Sequence, residues 1–212
     1  MKSIAKVSKQ DLFQILCALS IMSVIVSNII TNKQTEVIGF AVTCGSFLIP
    51  LSYIVNDTMV EVFGFNSARK VILLSFVCNL LAVVFFSLTL IAPSYETFTA
   101  QEAFNAVLGS TPRVLAASFA AYIIGSMANA WIMKVMKEHD GEKRLAFRCI
   151  LSTVVGEALD MIIFTFAAFT GVLPFEAMIQ IIIVSSVIKI LVETVLYALV
   201  TRHVIRWAKT LS

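Results

Sequence analysis

VILLSFVCNLLAVVFFSLTLIA, residues 71–92, runs twenty-two positions without a single charge, and Asn79 is its only amide. As a helix this stretch would be roughly 33 Å long, enough to cross the ~30 Å hydrocarbon core of a bilayer. Working outward in both directions, comparable apolar runs recur at Leu12–Ile30, Val37–Val55, Val114–Val135, Ala146–Phe169 and Ala177–Val200. The pattern predicts an all-α integral membrane protein of six transmembrane helices, residues 1–212 forming one domain.

Composition supports the same class. The chain is 59% hydrophobic and only 14% charged, against about 25% charged in an ordinary soluble domain. A soluble fold of this length still exposes about a quarter or more of its unfolded surface and has nowhere to put so much apolar area. Between the third and fourth runs lies the one long polar connection, residues 94–112, in which residues 102–108 read as a short surface helix. The basic N-terminus precedes a run too long for a signal-peptide core and followed by no small-residue cleavage site, so a retained first helix is expected.

Charge placement predicts orientation. Thirteen of the 16 basic residues fall on one side of a six-span chain: Lys2, Lys6, Lys9, Arg69, Lys70, Lys134, Lys137, Lys143, Arg144, Arg148, Arg202, Arg206 and Lys209. Cytoplasmic loops retain Lys and Arg. Both termini are therefore expected in the cytoplasm, with the protein multi-pass in the cytoplasmic membrane.

Function has to come from residues that lipid does not tolerate. A charge at the bilayer centre costs about 2.5–3.5 kcal/mol even on insertion scales and normally faces a partner or a water-filled cavity. Asp57 and Glu61 share a helix face, as do Glu157 and Asp160, and as do Lys189 and Glu193. Counting from the helix ends places Glu157, Asp160 and Lys189 near mid-membrane, roughly 15–20 Å in. Carboxylates and an ammonium at one depth on consecutive antiparallel helices are expected to meet. With Arg113 and Asp57 nearer the ends, they outline a polar cavity between helices. Asn28, Asn79 and Asn129 add uncharged polar groups, for which an interhelical hydrogen bond is the plain structural alternative.

Signatures of other chemistry are missing. Cys17, Cys44, Cys78 and Cys149 lie far apart, with no CxxC or Cys/His pair for a metal, and no GxxxxGK[ST] loop would hold ATP. No enzyme activity, cofactor, metal site or nucleic-acid partner is expected. The partners implied are the lipid bilayer and a small molecule; a homo-oligomer is left open.

A set of spaced residues is more specific. Pro50-x-x-Tyr53-x-x-x-Asp57-x-x-x-Glu61-x-Phe63-Gly64-x-x-x-Ala68-Arg69 resembles the signature of the queuosine precursor transporter family, earlier labelled vitamin uptake transporters. Arg113 with Ser118, Ala121 and Tyr122 continues the match. So do Arg148, Ser152, Thr153, Gly156, Glu157, Asp160, Phe164, Phe169 and Gly171, then Lys189 and Tyr197. Ser126-Met127-Ala128-Asn129 and Val195-Leu196 depart from the family pattern.

The resemblance implies import of a 7-deazaguanine nucleobase, such as the cyano base preQ0, the aminomethyl base preQ1 or queuine, for tRNA queuosine salvage. Taken with the charge pattern, the substrate site expected for such a base is Glu157, Asp160, Lys189, Asn129, Arg113 and Tyr53. Asp57, Glu61, Arg69, Arg148 and Glu193 are the corresponding gate or coupling residues. An inverted 3+3 arrangement of helices is compatible with the span order. The rival is the substrate-binding membrane component of an energy-coupling-factor vitamin importer, which would dock its partners through small residues on the first helix.

Overall fold

The computed structural model describes residues 8–37, 40–109, 112–141 and 143–211. Helix α1 (Lys9–Ile30) starts on a capping box in which Ser8 and Asp11 satisfy each other's backbone amides. A two-stranded antiparallel hairpin follows, β1 (Gln34–Val37) and β2 (Phe40–Thr43), then a 3₁₀ turn over Cys44–Phe47. Then come α2 (Ile49–Phe63), α3 (Phe65–Ile91), α4 (Gln101–Leu108), α5 (Pro112–Asp140), α6 (Leu145–Phe169) and α7 (Phe175–Leu196). A π-helical turn (Tyr197–Thr201) leads into α8 (Arg202–Ala208).

Five helical stretches are long and apolar enough to cross a membrane: α1, α3, the stretch containing α5, α6, and α7 with α8. The sequence-derived second span, Val37–Val55, is not a continuous helix. Its first half is hairpin and 3₁₀ turn, and its helix begins at Ile49 and runs on to Phe63. The cause is local. Pro50 lacks an amide hydrogen and suits the first turn of a helix. A Cβ on Gly45 would meet Thr31 Oγ1 at 1.9 Å and the Ser27 carbonyl oxygen at 2.7 Å, so this backbone presses directly onto α1. Hydropathy registers the apolar content of residues 37–55 but not this change of backbone. Among the described residues the chain is predominantly helical, as expected, with one two-stranded hairpin beside the helices.

At 15 residues, α2 is roughly 22 Å long and too short to cross ~30 Å of hydrocarbon alone. It does not face lipid. Every residue from Ser52 to Glu61 is buried, and α2 packs against α1, α3, α5, α7 and α8. Irregular backbone at membrane depth is tolerated where it is covered by protein or lines a cavity, and the 3₁₀ turn does both.

The bundle mixes polar with apolar side chains inside and is apolar outside. Buried positions include Ser20, Ser23 and Ser27 of α1 and Ser75 and Asn79 of α3, while Leu81, Val84, Phe85, Leu88 and Ile91 of α3 stand exposed. Ser20 and Ser75 hydrogen-bond across the helix pair at 2.9 Å. That inversion suits a bilayer, where polar side chains hold helices together and apolar ones face the solvent. The short helix expected in the polar connection is α4, which buries no residue. Asn32 pins it to the end of α1 by donating to the Val107 carbonyl at 2.6 Å.

The two ends of the bundle differ. One, the basic end, brings together the start of α1, the end of α2 (Phe13 and Phe63 rings at 5.2 Å), the ends of α5 and α8, and the start of α6. It carries Arg69, Lys134, Lys137, Arg148, Arg206 and Lys209; Lys2 and Lys6 lie outside the described residues. The other, the hairpin end, holds β1, β2, α4, the end of α6 and the start of α7.

Candidate functional site

A cavity of about 820 Å³ enters the bundle at the hairpin end, where Asn32, Leu173 and Ala177 form its rim, and descends to Tyr53, Asp160 and Lys189. Ser27 and Asn28 of α1, Gly45 and Ser46 of the 3₁₀ turn, Asn79 of α3, Ser118 and Tyr122 of α5, Phe164 of α6 and Gln180 of α7 complete the wall. Among the described residues, none from the basic end lines it.

Two acids share one cation at the floor. Lys189 Nζ lies 2.9 Å from Asp160 Oδ2 and 2.9 Å from Glu157 Oε2. Glu157 is fully buried and its Oε1 finds no partner, whereas Asp160 keeps part of its side chain open to the cavity. The expected meeting of these three residues at one depth is what the structure shows. Tyr53 underlies them, almost completely buried, with its hydroxyl at a close contact between α5 and α6. There α5 and α6 touch through Gly125 and Gly156. A Cβ on Gly125 would meet the Gly156 carbonyl oxygen at 2.8 Å and the Tyr53 hydroxyl at 2.8 Å. Two glycines therefore set how closely these helices hold the tyrosine.

Below the floor lies a second buried layer. Glu193 accepts a short hydrogen bond from the Thr153 hydroxyl. Asn129 donates to Ser152 Oγ at 3.3 Å, and both neighbour the Asp57 carboxylate together with Cys149. A third layer closes the basic end. The Glu61 carboxylate takes a short hydrogen bond from Arg148 and is approached by Lys137 at 3.4 Å and Lys209 at 3.1 Å. Arg148 is fully buried and donates also to the carbonyls of Gly141 and Lys143, each at 2.5 Å. Lys137 donates to the Glu61 carbonyl at 2.6 Å. One acid thus binds α2, α5, α6 and α8 together.

Of the residues the sequence nominates for substrate, Asp160, Lys189 and Tyr53 reach the cavity and Glu157 backs the lysine. Asn129 belongs to the layer below. Arg113 lies apart from both: it donates to the carbonyls of Ala167 and Thr170 at 2.8 and 2.6 Å, capping the end of α6. Among the gate or coupling candidates, Glu61 and Arg148 form the lock at the basic end, and Asp57 and Glu193 form the middle layer. Arg69 is exposed and takes no part in either. Lys137 and Lys209 in the lock, and Thr153 on Glu193, are contributions that sequence reasoning missed. The lysines had registered only as orientation charges, and nothing in their spacing points to Glu61.

Chemically, the floor is acid-rich and reached from one end, suited to a ligand with clustered hydrogen-bond donors and an apolar face. Comparison with known proteins agrees with a carrier. A family profile described as "Putative vitamin uptake transporter" matches residues 43–202. A "Probable queuosine precursor transporter" of Bacillus subtilis (strain 168) is 27% identical over 171 residues, 80% of this chain and 74% of the relative. A "Queuosine precursor transporter" of Escherichia coli (strain K12) is 27% identical over 143 residues, 68% of this chain. The chain spans 62% of that second relative's length. No solved structure matches. With its membrane-spanning helices and a profile match over most of its length, this chain belongs to the queuosine precursor transporter family.

Proposed function

We propose that this chain imports 7-deazaguanine precursors of queuosine across the cytoplasmic membrane for salvage into tRNA. The observation that carries the reading is the cavity itself: open at the hairpin end, shut at the basic end, and floored by two acids that share a single lysine. The excess of Lys and Arg assigns the basic end to the cytoplasm, with both termini inside and the cavity facing out.

A deazaguanine presents N1–H and an exocyclic amine side by side, and a carboxylate accepts both in the manner of guanine-edge readers. Asp160 is the carboxylate that the cavity exposes. Lys189 supplies the donor for the ring carbonyl, and the Phe164 ring in the wall offers a stacking face worth about 1–3 kcal/mol. Glu157 holds Lys189 in place when Asp160 turns to the base. A protonated aminomethyl substituent adds use for the second acid, whereas the cyano base and queuine rely on the neutral wall.

Release needs the other end to open, and the Glu61 lock is what has to part. In this reading the hairpin, 3₁₀ turn and α2 together make a sixth crossing. The two halves, α1–α3 and α5–α8, form an inverted 3+3 pair about the site, supported by its position between α2 of one half and α6 and α7 of the other. The test is a feeding assay in bacteria unable to make queuosine precursors and lacking their own importer. Cells expressing this chain should regain queuosine in tRNA when given nanomolar cyano-deazaguanine, aminomethyl-deazaguanine or queuine. No recovery with any base, the protein being confirmed in the membrane, would overturn the proposal.

A further inference from the structure

Between the cavity floor and the lock, the middle layer holds two acids and no cation. Asp57 and Glu193 are 1% and 4% exposed. Neither enters an ion pair among the described residues, unlike Glu157 and Asp160 above them and Glu61 below. They sit on facing helices, since α2 packs against α7, and the strongest charge acting on Glu193 is that of Asp57.

Their surroundings are those of a site rather than of a filled core. Asp57 Oδ1 and Glu193 Oε2 have no hydrogen-bond partner among the described residues, and the same is true of Asn129 Oδ1. Asn129 is fully buried. Buried polar atoms are normally satisfied, so a cluster of unused acceptors around two acids marks a place where something positive resides for part of the protein's cycle. Two neighbouring carboxylates in a dry interior cannot both stay charged without a large desolvation and repulsion cost. The space is small. A cavity of about 10 Å³ lies beside Glu193, lined by Thr153 and Tyr197, near the least volume that admits one water. A metal ion with a full oxygen shell is a poor fit; a proton fits.

The layer is also connected in both directions. Tyr53, Asp57 and Glu61 recur every fourth residue on α2, and Lys189, Glu193 and Tyr197 do so from α7 into the π turn. Each step is roughly 6 Å along the helix. The α2 ladder links the floor to the carboxylate that holds the lock, and the α7 ladder runs from the floor past the middle layer.

From this geometry we infer that Asp57 and Glu193 form a proton-carrying pair that couples transport to a proton gradient, one proton entering from the cavity side and leaving at the basic end in each cycle. This rests on the transport reading given above. The titratable or charged groups around the pair are Tyr53 and Glu61 from α2, Cys149 and Glu157 from α6, Lys189 from α7 and Tyr197 from the π turn. Asn129 and Ser152 beside Asp57 are uncharged.

Purified full-length chain in proteoliposomes tests it with 7-cyano-7-deazaguanine, a neutral probe whose own charge does not respond to voltage. With voltage clamped and the outside one pH unit more acidic, one-to-one coupling drives about tenfold accumulation, because a pH unit is a tenfold proton ratio. A pH dye inside the vesicles should acidify in step with uptake. Asp57→Asn, and separately Glu193→Gln, should reduce accumulation to an inside-to-outside ratio of one and abolish the dye signal. Counterflow of labelled against unlabelled base should stay within about threefold of wild type, reporting that the variants fold and bind. Wild-type accumulation that ignores the pH step, or that follows a sodium gradient at equal pH, overturns the inference. Loss of counterflow in both variants overturns it too, because the pair is then part of the bundle's packing or of substrate binding. Absence of any wild-type uptake, downhill included, would instead remove the transport reading itself.

Discussion

Two clusters of charge lie along this bundle and share helix α6, and they are built with opposite imbalance. At the cavity floor, Glu157 and Asp160 share Lys189, a formal excess of one negative charge. At the basic end, Glu61 faces Arg148, Lys137 and Lys209, an excess of two positive charges. Most of the surplus donors at the basic end are occupied: Arg148 reaches the carbonyls of Gly141 and Lys143 and leaves only its Nε without a partner among the described residues, and Lys137 reaches the carbonyl of Glu61. The surplus acceptors at the floor are not. Asp160 keeps an open edge on the cavity, and Glu157 Oε1 has no partner. On the function proposed above, the difference separates a lock, which largely satisfies itself, from a binding site, whose chemistry is completed by what enters it.

The largest test breaks the lock. Glu61→Leu leaves Arg148 fully buried with no carboxylate, and removing one partner of a buried pair costs about 3–5 kcal/mol. Thermal unfolding in detergent should show a marked loss of stability. An unchanged midpoint would mean that the carbonyl contacts alone hold Arg148 and that the lock is not built on Glu61.

The matching change at the floor should behave in the reverse way. Asp160→Asn removes a charged acceptor from a site open to solvent, so the unfolding midpoint should barely move. Uptake should fall about 10- to 150-fold, the worth of a hydrogen bond to a charged group at about 1.5–3 kcal/mol. Substantial destabilisation with uptake per folded molecule preserved would reverse the assignment, making the floor the structural cluster.

How much of this contrast was legible beforehand follows from what spacing can encode. Glu157, Asp160 and Lys189 were placed at one depth by counting residues along two helices, because regular helices convert sequence distance into height. Glu61 and Arg148 were nominated as gate residues through family resemblance, but Lys137 and Lys209 were not. Their link to Glu61 joins residues 76 and 148 positions away, across helices whose rotation no local pattern fixes. The second apolar run failed for a related reason. Residues 37–55 carry the hydropathy of a span, yet their backbone is decided by Gly45 pressing on Thr31 and Ser27 of another helix. Arg113 was read as a ligand group because a charge near a polar cavity invites it; its partners prove to be the free carbonyls at the end of α6.

The glycine contact between the two clusters gives a test that falls on both. In Gly125→Ala the new methyl meets Gly156 and Tyr53 at 2.8 Å, so α5 and α6 must separate, at a cost of about 1–3 kcal/mol for overpacking. Because Tyr53 underlies the floor, uptake should fall along with the midpoint. A shift in stability with uptake per folded molecule intact would show that Tyr53 is not needed at its present position.

The smallest expected effect asks how many cations the lock requires. Lys209 approaches Glu61 at 3.1 Å from α8, yet about a third of its side chain is exposed. A partly solvated lysine beside a carboxylate already held by a buried arginine adds about 0.2–1 kcal/mol. Lys209→Gln should therefore lower the unfolding midpoint only slightly. Its kinetic effect is the sharper one, since a lock with one fewer strand parts more easily while the cavity floor is untouched. Counterflow, which is limited by how often the carrier turns over, should hold or rise, and the concentration of base giving half-maximal rate should stay the same. A raised half-maximal concentration with unchanged turnover would tie α8 to the floor and dissolve the division between lock and site. An effect on stability as large as that of Glu61→Leu would show the lock to be an indivisible network in which the exposed lysine counts as much as the buried arginine.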